Sequence, residues 1–260
     1  MNVMRASNAA DSNPQIQERQ RRKGHGNMMW LAQALGEQDA QGAVLLIGGS
    51  GPIDFRLRVA QSHARQDLLP SFWSHAAIVR GPAKGADWDL YEACLDPVVG
   101  FGHVPRENGV QPGKLSNYDD TDRYPNIACI RFARTAAPTE PSLEIPEELD
   151  RLITTFRRQR NVIDLGALFV EWLGFVWGAG VHGNPLLRGL GVPSAVLVES
   201  VYAIAGRELT PGVSSQSTCP EAIWQSAKWW HGFYRSEVGG SGDVPSGVYC
   251  LGQKAAAVLE

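Results

Sequence analysis

The 260-residue chain is 43% apolar and 20% charged, with a net charge of −3; this suits one large soluble domain, or one with a sizeable insertion. No basic excess or long run of like charge offers a footprint for nucleic acid, so none is expected as a partner. The four cysteines, Cys94, Cys129, Cys219 and Cys250, are widely spaced with no C-x-x-C pair. That argues against a structural zinc site or a disulfide framework, and no cofactor or metal is expected. Residues Met1 to Pro14 lack an apolar signal core. The chain is therefore expected to be cytoplasmic, or exported without a cleavable signal peptide.

Residues 1–40 read as a polar, mobile N-terminal tail with a short helix near Met28–Leu35; the Arg19, Arg21, Arg22, Lys23 cluster reads as a solvated face. Residues 41–260 read as one domain. Gly42-Ala43-Val44-Leu45-Leu46-Ile47 is a short apolar run bounded by glycines and predicts a buried strand. Gly48-Gly49-Ser50-Gly51-Pro52 then turns the chain, lacking the Lys-Ser/Thr of a phosphate loop. Helical spacing follows over Phe55–Arg65.

Trp73–Val79 and Trp88–Cys94 read as two strands joined by the Gly/Pro/Lys-rich loop Arg80–Asp87. If Val79 and Trp88 close the hairpin, His75 stands opposite Glu92, with Cβ atoms about 5 Å apart on a shared face. Trp73, Ala77, Val79, Leu90 and Cys94 would share that face. A slip of two residues keeps both polar groups on it. An ionisable group buried alone there costs a few kcal/mol, so each needs a partner. A structural ion pair and a catalytic pair are both open readings.

Residues 97–125 read as a long surface excursion, Ile127–Phe132 as a strand with Cys129 in the core, and Glu147–Gln159 as an amphipathic helix. In the apolar stretch 161–206, Leu165, Leu168, Phe169, Trp172, Phe175 and Val176 fall on one helical face, and a second helix runs through Val196, Leu197, Val201 and Ile204. The stretch is either core or an apolar wall that accepts acyl chains. Glu171 in its middle argues against a membrane span. A Gly/Ser linker at Gly239–Asp243 precedes a last strand, Gly247–Leu251.

Before that linker, Thr218-Cys219-Pro220-Glu221 marks a helix start: Thr218 and Glu221 fit a capping box, and Pro220 suits the first turn. A cysteine there is a core residue or a nucleophile, and the helix N-terminus favours its thiolate.

The blocks Gly42–Leu46, Trp73–Val79, Tyr91-Glu92-Ala93, Asn161–Asp164 and Thr218–Ile223, in this order, resemble those of circularly permuted NlpC-like (papain-like) cysteine hydrolases, a group related to lecithin:retinol acyltransferase-like proteins. The resemblance spans roughly residues 42–251 and is most specific around His75 and Cys219. It implies an α+β, permuted papain-like fold in which an antiparallel sheet packs against the nucleophile-bearing helix, with 161–206 as an apolar helical insertion. It further implies a catalytic triad of Cys219 as nucleophile, His75 as base and Glu92 as orienting acid, forming an acyl-thioester. Pro220 stands where the family has serine and lacks an N–H, so an oxyanion hole would draw on the Cys219 N–H and another donor. The implied activity is a thiol hydrolase or acyltransferase, with a lipid acyl group the leading substrate. Cleavage of cell-wall peptides and an inactive lipid-binding module are the alternatives. The implied partners are an acyl lipid or peptide, a membrane surface and, for an antibacterial effector, an immunity protein.

Overall fold

The structure, a computed structural model, describes residues 13–36, 40–81, 87–95, 107–132, 145–158, 163–178, 181–231 and 244–252. Several sequence expectations fall wholly or partly outside these residues: the start of the N-terminal tail, most of the loop Arg80–Asp87, residues 97–106 of the excursion, Asn161-Val162 of the family block and the linker Gly239–Asp243.

The fold is α+β. Strands β1 (Ile16–Glu18), β2 (Val44–Gly48), β3 (His75–Gly81), β4 (Asp89–Glu92), β5 (Gln111–Lys114), β6 (Asn126–Arg131) and β7 (Ser246–Leu251) form one sheet in the order β1-β7-β6-β2-β3-β4-β5. The sheet is mixed, because β1 runs parallel to β7 while the other pairs are antiparallel. Every residue of β2 is buried. Helices cover both faces, so an apolar run without alternation is what that central position requires.

On one face Val44, Leu46, Ala76, Ile78, Ala128 and Ile130 pack beneath α2 (Pro52–Ala60), α3 (Ile145–Arg158), α4 (Leu165–Trp177), α5 (Pro193–Ile204) and α6 (Pro220–Trp229). On the other, Leu45, Ile47, Ala77, Val79, Ile127 and Cys129 meet Trp30, Leu31 and Leu35 of α1 (Asn27–Leu35). The predicted face of α4 is the one it buries, apart from Phe175, which is partly covered. Asp164 Oδ1 caps this helix by accepting from Ala167 N–H at 2.9 Å. Buried Trp172 donates from Nε1 to Gly191 O at 2.7 Å. Helix α5 packs along β3, and Ser194 Oγ in its first turn accepts from Ala76 N–H at 3.2 Å. The 161–206 stretch thus builds the main core.

Glu199, fully buried in α5, accepts through Oε1 from Leu209 N–H at 3.0 Å and Thr210 N–H at 3.3 Å, while Oε2 has no partner among the described residues. Burial raises its pKa to about 7 against the pull of those N–H groups, and Glu208 adds to the rise.

Three expectations are corrected. The N-terminal segment from residue 13 is held, not loose: β1 joins the sheet, and Asn13 Nδ2 donates to Ala227 O at 3.2 Å and Pro245 O at 2.5 Å. Residues 107–125 are more than a surface excursion. They contribute edge strand β5, the turn Leu115–Tyr118, which buries Leu115 and Tyr118, and Asn108, whose Nδ2 bonds Phe156 O and Ile163 O. Third, the hairpin register differs: Ala77, not His75, stands opposite Glu92, because Val79 pairs with Leu90 rather than with Trp88. The shift is by two residues, so face sharing survives.

Candidate active site

His75 opens β3 and Glu92 closes β4, so the antiparallel pair brings them to the same end of the sheet. Their side chains project from the α1 face with Ala77, Val79 and Leu90. His75 Nε2 lies 3.0 Å from Glu92 Oε2. A carboxylate only accepts, so Nε2 is the donor to Glu92. Nδ1 has no hydrogen bond among the described residues.

Glu92 is 0% exposed, where an unpaired carboxylate would be costly. A second donor meets that need: Tyr118 Oη donates to the same Oε2 at 2.6 Å. Burial, then the Glu92 carboxylate, pushes the phenol well above its ordinary pKa, keeping it a donor. The Tyr118 ring also stacks on His75, with centroids 5.7 Å apart and planes 25° apart. Glu92 Oε1 has no partner among the described residues and sits against Gly113 of β5, where a Cβ would come within 2.3 Å of it. Sequence reading missed Tyr118; a tyrosine after Leu-Ser-Asn carries no local sign of a partner 26 residues away.

A small cleft, partly open to solvent, lies at this end of the sheet. Ile53, Asp54 and Leu57 of α2, Ser74 and His75, the Ala93–Leu95 segment, Val192 and Ser194 form its walls. Asp54 Oδ1 accepts from Ser74 Oγ at 2.6 Å, and Ser74 Oγ accepts from Gly49 N–H at 3.1 Å. The predicted Gly-rich turn therefore fixes one wall of the cleft.

Cys219 sits elsewhere. It is the N-cap of α6, one position before the helix begins with Pro220. It packs with Ile223 and Trp224 in the core on the other face of the sheet, where Trp73 also lies, edge-on to Trp224 at 5.1 Å. Trp73 is therefore not on the His75 face as expected. Thr218 O accepts from Val192 N–H at 2.9 Å, which puts Cys219 one residue from the cleft wall. Cys219 does not itself line the cleft, and no hydrogen bond joins it to His75 among the described residues.

The capping box does not form. Thr218 Oγ1 is buried without a partner among the described residues, and Glu221 N–H donates to Gln61 Oε1 at 2.9 Å. The Glu221 carboxylate accepts from Ser71 Oγ and Gln225 Nε2, both at 2.6 Å. Nor is a thiolate favoured in this state. Burial pushes the Cys219 thiol up to about 12, with Glu221 adding to the rise and the N–H groups at the helix start opposing it. Desolvation here outweighs the helix terminus.

Among the described residues there is no group of three or more His, Cys, Asp or Glu able to hold a metal ion, and no helix long and apolar enough to cross a membrane. No family model, curated protein or solved structure matches the chain. The functional reading therefore rests on the side chains.

Proposed function

We propose that the protein is a thiol hydrolase or acyltransferase of the permuted papain-like type, with His75 as base, Glu92 as its orienting acid and Cys219 as nucleophile. The observation that carries this reading is the His75–Glu92–Tyr118 network. It sets two donors, His75 Nε2 and Tyr118 Oη, on one buried carboxylate oxygen, and His75 is among the residues that line the cleft. A base fixed in this way is what a thiol nucleophile needs, the more so where burial raises the thiol's pKa.

The reaction begins when the Cys219 side chain turns toward the cleft and gives its proton to His75 Nδ1. The sulfur attacks a carbonyl carbon, and the carbonyl π electrons move onto oxygen. As the C–O or C–N bond breaks, His75 returns the proton to the leaving alkoxide or amine. Water or an acceptor hydroxyl or amine then cleaves the thioester, with the same ring removing its proton. The Cys219 N–H, unpartnered among the described residues, supplies one oxyanion donor.

An acyl ester or amide fits this chemistry. A lipid acyl group is favoured by the exposed Val170, Trp177, Val181 and Leu187 on and after α4. The polar cleft wall of Asp54, Ser74 and Ser194 favours a second reading, a peptide amide. Turnover of fluorogenic esters, amides and phospholipid vesicles by the wild type and by Cys219→Ala tests the proposal. Loss in the variant by about a thousandfold is expected; equal rates would sink it. A covalent acyl adduct on Cys219, read by mass, would name the substrate class.

A further inference from the structure

Tyr118 touches both His75 and Glu92. Its Oη donates to Glu92 Oε2 at 2.6 Å, the oxygen that His75 Nε2 meets at 3.0 Å, and its ring stacks on the imidazole with the planes 25° apart. The two contacts fix different things. A hydrogen bond to Glu92 holds one nitrogen of His75 and leaves the ring free to swing about that bond, whereas a stacked ring sets its plane. Glu92 Oε1 has no partner among the described residues, so the hydroxyl on Oε2 decides which oxygen His75 meets. Tyr118 is buried, its ring stands edge-on to Tyr124 at 5.0 Å, and its carbonyl accepts from Asn27 Nδ2 at 2.6 Å. Asn27, fully buried at the start of α1, bonds Tyr124 O with the same nitrogen at 2.9 Å. Anchored at its backbone and at its hydroxyl, the tyrosine is a fixed reference for the ring stacked on it.

We propose that Tyr118 is a positioning residue: it sets which Glu92 oxygen His75 meets and the plane that the imidazole takes up. The inference rests on the reading of His75 as a base, for which ring orientation matters, but the geometry it describes exists without turnover. Tyr118 is not among the residues that line the cleft, so it acts through His75 and Glu92 rather than on a bound acyl group. Burial and the Glu92 carboxylate keep its phenol protonated, so it serves as a standing donor and takes no proton in the reaction.

Tyr118→Phe keeps the stacked ring and removes only the hydroxyl, and proton NMR of the His75 ring N–H in water reads the result. With one donor left on Glu92 Oε2, exchange of the Nε2 proton with water is expected to speed up about tenfold or more. That acceleration should exceed any change in the backbone amides of β2, which report global unfolding. On a fluorogenic ester the same variant should lose about tenfold in kcat with KM unchanged. A wild-type exchange rate in Tyr118→Phe, an equal acceleration of the β2 amides, or a loss carried by KM alone would overturn the proposal. If Tyr118→Phe does not fold, 3-fluorotyrosine at position 118 takes its place. It keeps the hydroxyl, makes it a stronger donor and should shift the His75 Nε2 proton resonance; a resonance that stays put overturns the proposal equally. A wild type inactive on every ester and amide would remove the enzymatic reading, and the exchange comparison then decides the role of Tyr118 by itself.

Discussion

Glu199→Gln is expected to stabilise the protein, and to do so more as pH rises. In the folded chain the Glu199 carboxyl is raised from the ordinary 4.5 to about 7, chiefly by burial. At about 1.4 kcal/mol per tenfold, ionising it in place costs about 3 kcal/mol more than ionising it in the unfolded chain. Between those two values the folded state binds the extra proton, so stability falls as pH climbs from about 4.5 to about 7 and stays reduced above. Glutamine carries no charge, and its carbonyl can replace Oε1 as acceptor for Leu209 and Thr210 N–H. Urea unfolding of both proteins at pH 5 and pH 8 isolates the effect, since every other titrating group is common to them. The gain from the substitution should grow by about 2–3 kcal/mol from pH 5 to pH 8, and the pH 8 melting temperature should rise by several degrees. A gain that is equal at the two pH values, or larger at pH 5, would refute the reasoning. The result bears on the site, because α5 carries Ser194 on the cleft wall and Glu199 ties it to the segment leading to Cys219.

Two further substitutions probe the surroundings of the proposed base. Gly113→Ala puts a methyl within 2.3 Å of Glu92 Oε1; it should displace the carboxylate, cost about 1–3 kcal/mol in chemical unfolding and lower any ester turnover, whereas Gly24→Ala, with open space, tests only its left-handed backbone strain. Trp172→Phe leaves Gly191 O without its donor and should cost about 1–3 kcal/mol, measured as a lower urea midpoint with unchanged slope.

The parts of the fold most legible in the sequence were those set by unbroken patterning. β2 reads from Val44 to Ile47, and α4 from the spacing of Leu165 through Val176, because burial on all sides or along one stripe writes itself into consecutive residues. β5 was illegible because Gln111-Pro112-Gly113-Lys114 has almost no strand-forming residue; an edge position tolerates a proline that a central strand would not. The hairpin register was illegible because a slip of two residues, with Val79 opposite Leu90 rather than Trp88, leaves alternation intact. The pairing of His75 with Glu92 survived that error for the same reason. The helix start at Cys219 was read one residue off: its expected capping partners were local, whereas the actual acceptor for Glu221 N–H is Gln61, 160 residues earlier. Tyr118 and the cleft position of Cys94 depend on packing between separate segments.

The pairing of the first strand with the last has a consequence for how the chain is made. Among the described residues β1 pairs only with β7, and Asn13 bonds Pro245 O across 232 residues of sequence. During synthesis β1 waits, unpaired, until the C-terminal strand has left the ribosome, while β2, β3 and β4 already have one another. β6 likewise keeps one edge open until β7 arrives. Long-range pairing of this kind slows folding, because loop closure must be completed before its contacts form. The nascent chain therefore carries an exposed sheet edge late into its synthesis, and that edge is where a chaperone would bind or a misfolded dimer would begin.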